Sequence, residues 1–150
     1  MKESPEIQRL NAMLRSSCFA AEGFMGSDDR SVSEIIQTDA GECFRLGYTA
    51  AKIAQKMQEI TEQADHALGS WVDIDECREA RVEEARGAIP CPWPHGGMFR
   101  KRVTTLRLKG SGETLQWSDL NVHFIGAHGF FEGKGSFFRQ EPARLIQALF

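Results

Sequence analysis

Apolar residues recur every three or four positions through residues 5–69 and every second position in stretches beyond, which predicts helices first and a small sheet later. Leu10, Met13, Leu14 and Phe19 share one face of a helix over 5–20, closed by Gly23 and Gly26 ahead of the polar loop Ser27-Asp28-Asp29. Ser31 and Glu34 then have the spacing of a capping box, in which the hydroxyl accepts from the N3 amide and the carboxylate reaches back. Val32, Ile35, Ile36, Ala40, Cys43 and Phe44 make the stripe of the helix behind it, with Gly47 placed for a left-handed stop. Thr49 caps the next helix. Its stripe of Ala50, Ile53, Ala54, Met57, Ile60, Ala64, Ala67 and Leu68 runs to Gly69, and its wet face carries Lys52, Lys56, Glu59, Glu62 and Asp65. The alanines in that stripe leave room for a helix packed close, from this chain or from a second copy.

The period changes after Gly69. Trp71–Asp75 alternates and predicts a short strand. Residues 76–86 are open between helix, which Glu, Ala and Arg favour, and a strand paired with 71–75, because their apolar stripe is thin. Pro90, Pro92 and Pro94 forbid regular structure and hold Cys91, Trp93 and His95 in a stiff loop. Residues 99–109 and 113–117 form a hairpin about Gly110-Ser-Gly112. Ser118 caps a helix over 119–128, Gly129 ends it, and Pro142 opens a last helix to Leu149. The order gives an α+β fold: N-terminal helices including a helical hairpin, then a small antiparallel sheet with C-terminal helices. One domain spans 1–150, with 1–69 mainly helical and 70–150 holding the sheet.

Composition narrows the class. At 150 residues, with 41% hydrophobic and 26% charged, the chain can bury a core without staples. Cys18, Cys43, Cys77 and Cys91 form no CxxC pair and follow no secretory leader, and no apolar run reaches membrane-spanning length. These features predict a soluble, cytoplasmic, thiol-reduced protein with no membrane partner. Charge is uneven along the chain. Residues 1–90 hold 10 Lys/Arg against 17 Asp/Glu, a net of −7, whereas residues 91–150 hold 8 against 4, a net of +4. Docking of one half on the other is the simplest outcome; association between copies, or an anionic ligand on the basic half, are the others.

The chemistry-bearing residues crowd into the second half. Cys91, His95, His123 and His128 are the ligand types a tetrahedral zinc takes, drawn from a loop and a helix. Two features count against the set. The His95–His123 gap exceeds that of a two-Cys, two-His finger. Positions five apart on a helix also point about 140° from each other, so His123 and His128 converge only if the helix frays at Gly126 or Gly129. The plainer alternative is histidines hydrogen-bonded within the fold and a cysteine buried as a small hydrophobe.

Three other constellations are weaker. Gly129–Arg139 offers Lys134, Ser136 and Arg139 to a phosphate-like ligand, but misses the phosphate-loop spacing and follows a helix. Its four phenylalanines read as anchors, with Phe130 and Phe137 expected inside and Lys134 and Arg139 facing out. Arg100, Lys101, Arg102 and Arg107 on the hairpin over 99–109 are the basic ribbon of a nucleic-acid binder, although a pI near 5.8 argues against that partner. Leu46–Ala54 resembles a DNA-reading helix-turn-helix, yet Glu42 sits where an apolar residue belongs, and Asp39, Glu59, Glu62 and Asp65 would repel phosphate. A small enzyme using His95, His123 or His128 as general base beside Asp119 is the remaining class. The leading expectation is a binding or assembly module with a Cys/His zinc site, forming a homodimer, if any, through 50–68 or 129–139.

Overall fold

The structure, a computed structural model, describes residues 3–15 and 23–150. Phe19 and Cys18 lie outside the described residues. Helix α1 covers Pro5–Arg15, α2 Val32–Arg45 and α3 Ala50–Asp65. Strands β1 (Val72–Asp73), β2 (Arg78–Pro90), β3 (Met98–Leu108) and β4 (Thr114–Ser118) follow, then α4 (Asp119–His128) and α5 (Pro142–Leu149). The four strands form one antiparallel sheet in chain order, so the layout is the α+β one that the periodicity predicts. Among the described residues no helix is long and apolar enough to cross a membrane.

One sheet face carries the core. Ala80 and Val82 of β2 pair with Leu106 and Thr104 of β3, which face Leu115 and Trp117 of β4. Alternation sends these residues to one side, where they meet Ile53, Met57, Ile60 and Ala64 of α3. The stripe on α3 is thereby spent inside the chain, against β2 and α4. Two threonines let this apolar layer accept an indole. The Trp117 Nε1–H donates to Thr61 Oγ1 at 2.9 Å, and Thr61 shares a 2.6 Å bond with Thr104.

From Arg78 on, segment 76–86 is strand, not helix. Ala80 and Val82 point into the core while Glu79, Arg81 and Glu83 point out, and the long ladder with β3 outweighs local propensity. On the outer face the Arg107 guanidinium lies 3.9 Å and that of Arg81 5.0 Å from the Trp71 ring centroid. β2 runs on through Pro90, one residue into the proline-rich stretch, by way of a bulge between Ala85 and Ala88. The outer edge of β4 is closed by side chains, as Gln140 donates to the Gln116 carbonyl at 2.5 Å and Arg144 to that of Thr114 at 3.3 Å.

Two expectations about the helices and one about a loop are corrected. Ala40 and Phe44 are exposed, and α2 turns Asp39 inward instead, because Arg139 pairs with that carboxylate. α3 ends at Asp65 rather than Leu68, and Leu68 is exposed with a φ of +52°. In the loop 129–139 between α4 and α5, Phe137 faces water while the Arg139 side chain is buried, the reverse of the expected arrangement. Phe130 and Phe131 are fully buried, Phe130 in a second core with Leu14, Phe24, Ile35 and Phe124.

Candidate metal centre

Chain direction brings the site together. β4 returns along β3 until Ser118 lies opposite Val103, and α4 continues the same way. Ten helical residues advance about 15 Å and the five strand steps from Val103 to Met98 about 17 Å, so the end of α4 arrives level with the tip of the β2–β3 ribbon. The start of α4 is fixed by a complete capping box. Ser118 Oγ accepts from the Asn121 amide at 3.1 Å, and Asn121 Oδ1 accepts from the Ser118 amide at 2.9 Å. Its path is fixed by Gly126, where an added Cβ would stand 3.0 Å from that of Ala54 on α3. The close-packed partner of the alanine stripe is therefore α4 of the same chain. Gly129 ends the helix in the left-handed conformation, its amide bonded to the Ile125 carbonyl at 3.0 Å.

The tip, residues 91–97, is a small closed loop. The Cys91 amide donates to the Gly97 carbonyl at 3.0 Å and the His95 amide to that of Trp93 at 2.8 Å. Cys91 is buried in the second core, and Trp93 and Phe99 pack on its edge. The four predicted ligands meet there, with one ligand atom from each of Cys91, His95, His123 and His128 within 4.8 Å of every other. His95 Nε2 lies 3.0 Å from His123 Nε2 and 3.4 Å from His128 Nε2, and Cys91 Sγ lies 3.6 Å from His128 Nε2. A tetrahedral zinc with ordinary bond lengths requires N···N edges of about 3.3–3.4 Å and S···N edges of about 3.6 Å. Three of the cluster's six edges lie close to those lengths, and the other three are no longer than 4.8 Å.

The objection from helical spacing fails for a reason the sequence half disclosed. α4 does not fray, remaining regular through His128. The rings are aimed by aromatic neighbours instead: Trp93 stacks on His128 at 4.0 Å with 8° between planes, and Phe99 on His123 at 4.2 Å. The two imidazoles thus stand edge to face, 5.0 Å apart. Trp93 and Phe99 thus wall the cluster, a placement that ligand spacing alone does not signal.

Burial disfavours charge on three of these groups. Burial, then the neighbouring histidines, depresses the His128 pKa to about 4, and burial and His95 lower that of His123. Both rings are neutral at neutral pH, with lone pairs available. Burial raises the Cys91 thiol, which therefore needs a cation beside it to become thiolate. The outer nitrogen of His95 is engaged, since the Gly97 amide donates to its Nδ1 at 3.1 Å.

The other predicted site residues are not gathered in this way. Ser136 donates to Glu132 at 3.0 Å and Arg139 pairs with Asp39, whereas Lys134 is exposed and, among the described residues, its side chain has no ion pair. Arg100 pairs with Glu84, Arg102 with Asp65 and Asp119, and Arg107 with Glu79; among the described residues Lys101 is the one of this group without an ion pair. Asp119, the acid expected near a histidine base, is held by Arg102 at 2.9 Å. Glu132 was missed altogether. It is a buried carboxyl at a φ of +68°, and nothing in Phe-Phe-Glu-Gly marks it.

Compared with known proteins, the chain matches no family model, no curated protein and no solved structure.

Proposed function

We propose that this chain is a metal-dependent binding module in which Cys91, His95, His123 and His128 hold one zinc ion. The convergence of three imidazole nitrogens and one sulfur within 4.8 Å carries the proposal. The donor set is borderline-soft and contains no carboxylate, which suits zinc and disfavours calcium, magnesium and manganese. The ion's task is structural. It fastens the ribbon tip to the end of α4, and so steadies the stretch 83–88, which is exposed along its whole length and has no core of its own to hold it. A reduced Cys91 is required, which suits a reducing compartment such as the cytoplasm.

The test is elemental analysis of protein purified without chelator. Close to one zinc per chain is expected, with most of it lost in Cys91→Ser. Zinc at a hundred times its dissociation constant should stabilise the metal-free protein by about 2.7 kcal/mol. A melting temperature that does not respond to zinc overturns the proposal.

A further inference from the structure

The four ligands are not held alike. Cys91 sits in the second core, and His123 and His128 ride on one regular helix with an aromatic ring stacked on each. His95 is exposed and stands on the loop just before Gly96, whose φ is +73°, and Gly97. Its hydrogen bonding also sets it apart. A ring nitrogen that accepts from an amide has no proton, so the neutral His95 ring carries its proton on Nε2, the atom that faces the other two histidines. Coordination through Nε2 moves that proton to Nδ1 and breaks the bond from Gly97. Among the described residues no group bonds Nδ1 of His123 or His128, so neither ring gives up a comparable contact.

On the metal reading above, we propose that His95 is the exchangeable ligand of this centre, and that the place its ring vacates binds a planar nitrogen base of the imidazole class. That place is shaped by a flat five-membered ring. The His95 ring lies 5.3 Å from His128, tilted 25°, and 4.8 Å from His123, and behind those rings stand Trp93 and Phe99. A free imidazole entering there supplies the same donor atom without the tether to Gly97. The metal then keeps three protein ligands and one replaceable position, the arrangement of a zinc site open to an incoming molecule.

Two variants isolate the exchange. His95→Ala removes the ligand. Gly97→Ala keeps all four ligands, but its Cβ would fall 2.6 Å from His95 Cε1 and 3.0 Å from Phe99 Cε2, so the exposed ring must swing away. The probe is cobalt(II), read by its visible absorption, with imidazole titrated in. Both variants are expected to retain cobalt with affinity lowered roughly 10- to 100-fold, to show weakened absorption, and to regain the wild-type spectrum on adding imidazole. His123→Ala should lose the metal, with no rescue. Loss of cobalt from His95→Ala as complete as from His123→Ala, or variant spectra unmoved by imidazole, overturns the exchange while leaving the centre standing. Wild-type protein that takes up no cobalt overturns the centre and the exchange together.

Discussion

Glu132 occupies a position hostile to a carboxylate. It is buried, and Asn121 and the Ser136 hydroxyl donate to it. Those bonds favour ionisation, yet burial outweighs them and lifts its pKa from 4.5 to about 7. His128 is displaced the other way, from 6.5 to about 4. The consequences for stability oppose each other. Glu132 prefers the folded state when protonated, so its contribution is complete below about 4.5 and is lost as pH rises through 7. His128 prefers the folded state when neutral, so its contribution is complete above 6.5 and is lost as pH falls toward 4. In chelator-treated protein the two partly cancel across that window. Denaturant titrations at a series of pH values should therefore find Glu132→Gln losing stability more steeply on acidification than wild type, and His128→Asn losing it less. Parallel pH profiles for all three proteins would contradict both assignments. The same loop shows where residue-level pattern reasoning stops. Phe137 was expected inside and Arg139 outside, and the reverse holds because Arg139 answers a buried Asp39 that lies a hundred positions earlier in the chain. Local hydrophobicity contains no term for such a partner.

Elements were legible wherever cap and stripe agreed. Thr49 and Ser118 cap α3 and α4 as their positions predict, and Gly129 ends α4 as expected. β2 was not legible, since its Glu, Ala and Arg content favours helix and only the ladder with β3 settles it. The candidate site was legible as a set of four residues but not as a geometry, because the stacking of Trp93 and Phe99 that aims the rings is a contact between elements. The α3–α4 contact carries a prediction of its own. With an added Cβ at Gly126 only 3.0 Å from that of Ala54, Gly126→Leu should overpack the seam, at a cost of about 1–3 kcal/mol despite leucine's better helix propensity. If the protein carries the ligands as described, that variant should also bind zinc more weakly, because α4 carries two of them. Unchanged stability in equilibrium unfolding would mean that the helices are not in register as described.

Across the whole molecule the uneven charge has an internal explanation. Arg139–Asp39, Arg102–Asp65, Arg100–Glu84, Arg107–Glu79 and Lys109–Asp73 each join a base from residues 91–150 to an acid from residues 1–90. The Arg100–Glu84, Arg107–Glu79 and Lys109–Asp73 pairs are wholly or partly exposed and contribute little. The Arg139–Asp39 pair is buried on both sides, at 8% and 5% exposure, and Asp39→Asn should cost about 3 kcal/mol, because it leaves the buried guanidinium only the more exposed Glu141 carboxylate as a charge partner. Raising the salt concentration should leave that penalty nearly unchanged while weakening the exposed pairs, a difference that unfolding curves at two ionic strengths would read. The sequence position of the four candidate ligands has a consequence in time. All of them lie between Cys91 and His128, and so do β3, β4 and α4, which complete the cover that β2 begins over the apolar stripe of α3. During synthesis, residues 1–90 emerge first with their acidic excess and with only β2 to cover that stripe. The stretch that brings the positive charge, the covering helix and all four donor groups then arrives as one contiguous segment, so on the ribosome docking of the two halves and assembly of the proposed metal centre become the same event.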